Sequence, residues 1–181
     1  MQVTCDTWQV TRFKVSHCVR FVSLVTCHLP PGFYPASVSH KSARIAAHIE
    51  SFRGQELDAH YAGYFDCFNR QFFYEAHEVL EQLWLKDKYG PNGAFYKGLI
   101  QLAGAFVHLQ KNRPRPAAAL FKLALANLEK YPREHEHLNL TAVCQLIQKW
   151  LGSLEAAHFE KNPLADDNAP KLALELPITD G

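Results

Sequence analysis

FFYEAHEVLEQLW, residues 72–84, is the stretch whose reading decides the fold. Its apolar residues fall at 72, 73, 76, 79, 80, 83 and 84, the three/four spacing of one helical face. The same stretch holds Glu75, His77, Glu78 and Glu81. Such groups are costly to bury unless they are paired, so the helix carries either a binding site or a polar strut. At about 100° per residue, the apolar face centres between Ala76 and Leu80. His77, Glu81 and Trp84 then share one flank, with His77 and Glu81 four residues apart and therefore neighbours. Glu75 and Gln82 fall on the other flank, and Glu78 points most nearly away from the core.

Downstream, Gly90, Pro91 and Gly93 break the helix, and residues 94–110 begin a second one. Phe95, Leu99, Leu102, Ala103 and Phe106 define its bulky side. Opposite lie Gly98, Gln101, Gly104, Ala105 and His108. Glycine costs about 1 kcal/mol per helical position relative to alanine, a cost usually accepted where another backbone comes close. Both faces are therefore packed and this helix is central. Gln101 and His108 stand two turns apart on the small-residue face and need partners if buried. The expected partners are His77 and Glu81, giving a polar seam of His77, Glu81, Gln101 and His108 with Glu75 or Glu78 nearby.

A basic connection (KNRPRP, residues 111–116) leads to a third helix over residues 116–130. A fourth spans residues 137–151, with residues 153–159 as an extension. Upstream, residues 42–53 read as a helix ended by Gly54, and residues 56–68 as a helix or an extended approach, with Asn69 a candidate cap for the main helix. No strand alternation is convincing between residues 42 and 160. The predicted class is all-α, a compact bundle of about five to six antiparallel helices with an N-terminal extension. Residues 1–40 are that extension, 41–161 the helical domain, and 162–181 a tail lying on the domain as an arm.

The chain has 181 residues, 48% of them hydrophobic, enough for one real core. Its net charge of +1 argues against a dedicated nucleic-acid binder. No segment is apolar enough to span a bilayer. The five cysteines are odd in number and none sits at C-x-x-C spacing, which points to reduced thiols and a cytoplasmic setting. Residues 1–40 hold one acid, Asp6, and fit a transit peptide loosely, so an organellar location is the alternative.

Two histidines and one or two carboxylates in the seam suit a divalent metal, or a histidine base oriented by a carboxylate. The competing reading is a hydrogen-bond network that fixes helix register. Several motifs fail on inspection. His77-Glu78 opens like the zinc-protease H-E-x-x-H, but Glu81 occupies the second histidine's place. Glu75-x-His77 is not the Glu-x-x-His of a di-iron bundle. Residues 134–137 (EHEH) read as a solvated capping turn, and Lys111, Arg113 and Arg115 as a solvated connector. No cysteine has both a basic neighbour and a plausible histidine partner in sequence, so the nucleophile case is weak.

Residues 68–84 (FNRQFFYEAHEVLEQLW), 95–111 (FYKGLIQLAGAFVHLQK) and 116–132 (PAAALFKLALANLEKYP) together resemble the small helical family catalogued as domain of unknown function 309. The resemblance covers about residues 60–155. It implies a compact all-α domain, supplies no established activity, and places the family's recurrent polar positions on Glu75, His77, Glu78, Glu81, Gln101 and His108. A weaker rhythm in residues 120–128 resembles tetratricopeptide hairpins, without a 34-residue repeat. The leading expectation is an inter-helix site for a small ligand or divalent metal. The alternative is a protein-interaction module with a structural seam, self-association included. A metal-assisted hydrolase comes third.

Overall fold

The computed structural model describes residues 40–165 and 167–175; the readings of residues 1–39, Cys5, Cys18 and Cys27 among them, and of residues 176–181 lie outside the described residues. The described chain is all-α apart from one hairpin. Its helices are α1 (His40–Glu50), α2 (Ala59–Asn69), α3 (Phe73–Lys86), α4 (Gly93–Gln110), α5 (Pro114–Leu128) and α6 (Leu140–Ala156). Strands β1 (Glu134–His135) and β2 (Leu138–Asn139) lie between α5 and α6.

Residue pairs show successive helices running antiparallel. Gly63 of α2 faces Val79 of α3, while Phe68 meets Phe73. His77 lies over Gly104 and Phe73 stacks on Phe106 at 4.9 Å. Gly98 meets Leu128, and Phe106 meets Phe121. Phe106 is the hub: its ring also contacts Phe68 of α2 and Trp150 of α6. The predicted bulky face of α4 is fully buried at Phe95, Leu99, Leu102, Ala103 and Phe106. Tyr64 of α2 is also buried, and its hydroxyl donates to the Leu99 carbonyl at 2.9 Å. Burial pushes its pKa well above the ordinary value, so it stays a neutral donor.

Several boundaries differ from expectation. The uncertain approach is α2, capped by Asp58, whose carboxylate accepts from the backbone N–H of His60 and Tyr61. Asn69 does not cap α3; Phe72 holds that position without a side-chain cap. Asn69 instead exchanges two hydrogen bonds with the backbone of Leu172, at 2.7 and 2.8 Å. That exchange pins the C-terminal arm to α2, with Leu172 buried. Helix α5 starts at Pro114 rather than residue 116, because a proline at the first helical position loses no hydrogen bond.

The EHEH stretch is not a solvated capping turn. Glu134 and His135 pair with Asn139 and Leu138 in a two-residue hairpin. Glu136 and His137 form its turn at φ 48° and 58°, where the backbone twist matches that of the strands. Helix α6 therefore begins at Leu140 and not at 137. Asn92 clamps the turn, donating to Glu136 Oε1 at 2.6 Å and meeting His135 Nε2 at 2.8 Å. No helix among the described residues is long and apolar enough to cross a membrane.

Candidate functional site

The helical phase of α3 buries Phe73, Ala76, Val79 and Leu80 and leaves His77, Glu81 and Trp84 half-buried at the edge of α4. Gln101 and His108 are half-buried too. Glu78, outermost by helical phase, is half-buried like the others. Among the described residues no charged or polar side chain is fully buried, so the seam is partly open rather than sealed.

The small-residue face of α4 packs chiefly against α5. A Cβ on Gly98 would sit 2.8 Å from the Leu128 side chain and 3.3 Å from the Ala124 carbonyl. One on Gly104 would sit 3.2 Å from Leu120 and 3.9 Å from His77 Cδ2. The bare backbone of Gly104 thus lies between α3 and α5, with the His77 ring over it. Gln101 is also claimed by α5: its Oε1 accepts from Asn127 Nδ2 at 2.8 Å. The expected bonds from Gln101 to His77 or Glu81 do not form. The reason is geometric, since α4 turns its glycines toward the helix that follows it and not only toward the one before.

His77 and His108 each bury Nδ1 without a hydrogen-bond partner, and Trp84 buries Nε1 likewise. Leaving a buried polar atom unpaired costs about 1–3 kcal/mol. Burial first, then the charges of Arg113 and Lys111, lowers the pKa of His108 and keeps the ring neutral. Glu75 belongs to a different neighbourhood: burial first, then the charges of Asp66 and Glu75, push the Cys67 thiol on α2 up to about 11.

The described group whose ligand atoms converge as a metal site requires lies elsewhere. His48 of α1 joins Asp66 and Cys67 of α2, with all three ligand atoms within 4.8 Å of one another. The sequence shows no cysteine with both a basic neighbour and a histidine partner, yet in the fold His48 Nε2 stands 3.3 Å from Cys67 Sγ. The nineteen-residue separation carries no motif; the available signal was Cys67 and Asp66 adjacent on a helix that packs against a histidine-bearing one. Cys67 and Cys144 are both free thiols. Two surface cavities, of about 280 and 180 Å³, involve neither this group nor the seam; the larger lies among Leu128, Tyr131, Leu140 and Cys144.

Residues 61–120, from α2 into α5, match the model of the family described as Domain of unknown function (DUF309). An uncharacterized protein of Aquifex aeolicus (strain VF5) is 31% identical over 83 residues, 46% of this chain and 25% of that protein. The aligned part thus spans about a quarter of that relative's length. No solved structure matches the chain. Every seam residue lies within the matched segment, as do Asp66 and Cys67, whereas His48 lies outside it.

Proposed function

We propose that this helical domain is a binding module whose α3–α4 seam recognises a small polar ligand rich in hydrogen-bond acceptors. The observation that carries the reading is the set of unpaired nitrogens on His77, Trp84 and His108 in a half-open seam. A strut built to fix helix register would pair them. A neutral imidazole with Nδ1 shut away carries its proton on Nε2, because the other tautomer buries an unpaired donor. His108, held neutral by burial, then offers a donor at Nε2, and the His77 ring lies over Gly104. The nearby charges of Lys111 and Arg113 favour a carboxylate or phosphate group beside His108. Glu81, one turn from His77 on α3, supplies an acceptor.

A metal in the seam, and with it a metal-assisted hydrolase, finds less support, because His77, Glu81 and His108 are not the converging group. Nuclear magnetic resonance of the imidazole Cε1–H signals tests the reading. Titration with acetate, inorganic phosphate and an acetylated amino acid should move His77 and His108 together along one saturable curve. It should also raise the melting temperature by mass action. Rings that ignore every probe while melting stays fixed would favour the strut.

A second reading rests on a separate observation. Tyr74 and Leu85, eleven residues apart on one face of α3, are 41% and 58% exposed and flank Glu78 and Glu81. That face suits a protein partner or a second copy of the chain. Light scattering tests self-association: a dimer that Leu85→Glu dissociates supports it, and a monomer at high concentration counts against it.

A further inference from the structure

Away from the seam, the last turn of α1 meets the last turn of α2. His48 Nε2 lies 3.3 Å from Cys67 Sγ and 3.4 Å from Asp66 Oδ2. One ring nitrogen therefore faces both partners. A nucleophile relay needs the thiol on one imidazole nitrogen and the carboxylate on the other, so this arrangement is not a relay. It is a convergence of sulfur, nitrogen and oxygen on one point. With Zn–S near 2.3 Å and Zn–N or Zn–O near 2.0–2.1 Å, tetrahedral geometry puts neighbouring ligand atoms about 3.5 Å (S to N) and about 3.3 Å (N to O) apart. The sulfur–nitrogen and nitrogen–oxygen separations match those edges within a few tenths of an ångström, and the third edge, from Cys67 Sγ to Asp66, lies within 4.8 Å and closes as the carboxylate turns to the ion.

We propose that His48, Asp66 and Cys67 form a site for a thiophilic divalent cation, zinc foremost, that clips α1 to α2. The donor set is mixed in the way zinc accepts, with one thiolate, one imidazole and one carboxylate. Thiolate and carboxylate together neutralise the ion. Three protein ligands leave one tetrahedral position for water or a further ligand. Arg70 is the competitor, since its Nη1 lies 3.1 Å from Asp66 Oδ2. Its side chain is 57% exposed and already lies 4.9 Å from the Phe72 ring, so it has another seat when the carboxylate turns to a metal. The clip has a structural purpose: α1 reaches the rest of the bundle mainly through α2, with Ile45 and Ile49 as its buried anchors.

The test uses the full-length chain, purified without an affinity tag, stripped with chelator and titrated with Co²⁺ and Zn²⁺. Wild type should bind one ion per chain, show a thiolate-to-cobalt charge-transfer band, and melt higher as zinc rises. An outer-shell partner alone is worth about 10–100-fold in metal affinity, so Cys67→Ser and His48→Gln should each lose the band and more than about tenfold in affinity. Cys144→Ser should change neither. Wild type without stoichiometric uptake overturns the proposal. So does a Cys67→Ser or His48→Gln protein that binds as tightly as wild type. Should Cys67→Ser unfold, His48→Gln keeps the thiol and decides alone: undiminished binding refutes the site, and loss in a folded protein supports it.

Discussion

Alanine at Gly98 and alanine at Gly104 should have opposite effects on stability, and the reason is the way α4 sits on α5. Each substitution gains about 1 kcal/mol of helix propensity. At Gly98 the new methyl meets Cγ and Cδ2 of Leu128 at 2.8 Å and the Ala124 carbonyl at 3.3 Å. Leu128 is fully buried in the last turn of α5, and its Cγ is no flexible tip. The helices must part, and overpacking of this kind costs about 1–3 kcal/mol. Added to the backbone contact, it outweighs the propensity gain, so Gly98→Ala should lose about 1–2 kcal/mol. At Gly104 the tight neighbour is Cδ1 of half-buried Leu120 at 3.2 Å, and His77 Cδ2 is at an ordinary 3.9 Å. A leucine methyl can yield by tenths of an ångström, so Gly104→Ala should be neutral or gain up to about 1 kcal/mol. Urea unfolding followed by circular dichroism, with unchanged m-values, measures both. A Gly98→Ala protein as stable as wild type, or a Gly104→Ala protein that loses more than about 1 kcal/mol, would refute the proposed packing.

Other outcomes follow from the same structure. Phe106→Ala removes the ring that joins α2, α3, α5 and α6 and should cost about 3–5 kcal/mol by denaturant unfolding. Gln101→Ala takes the acceptor from Asn127 Nδ2 and should cost about 0.5–1.5 kcal/mol, with the same loss absent in an Asn127→Ala background. The pKa of His108 is lowered from 6.5 in the fold, so the unfolded chain takes up its proton first as pH falls. Its contribution to stability is complete above pH 6.5 and shrinks as pH drops through that value toward the folded pKa. Stability measured from pH 8 to pH 5 should therefore fall less steeply in His108→Gln than in wild type.

Much of the fold is legible in the sequence because one strong period governs it. The 3.6-residue rhythm of α3 and α4 places Ala76, Leu80, Leu99 and Phe106 in the core, and all four are fully buried. What a helix's own period cannot contain is the identity of the neighbour on each face. Gly98 and Gly104 announce a close approach, but only the fold shows that α5 makes most of it. The hairpin escapes notice because its strands have two residues each, too short for alternation. Its turn also uses Glu136 and His137 at positive φ, where glycine or asparagine would have signalled it. The His48–Cys67 contact joins two helices across nineteen residues and leaves no spacing to read. Helical phase sets Glu75 on the flank away from His77, and its charge acts on Cys67 after burial and Asp66.

On the proposed reading, the seam leaves His77 Nδ1 and His108 Nδ1 buried and unpaired at the expense of stability, and meets its ligand through the other edge of each ring. The unfolding free energy of His77→Leu, His108→Leu and the double variant tests it most directly, since leucine fills similar space without the unpaired atom. Each variant should be as stable as wild type or more stable by up to about 1 kcal/mol, while the seam no longer responds to acetate or phosphate. A loss of more than about 1 kcal/mol at each site would show that those nitrogens hold partners, and that the seam is a strut.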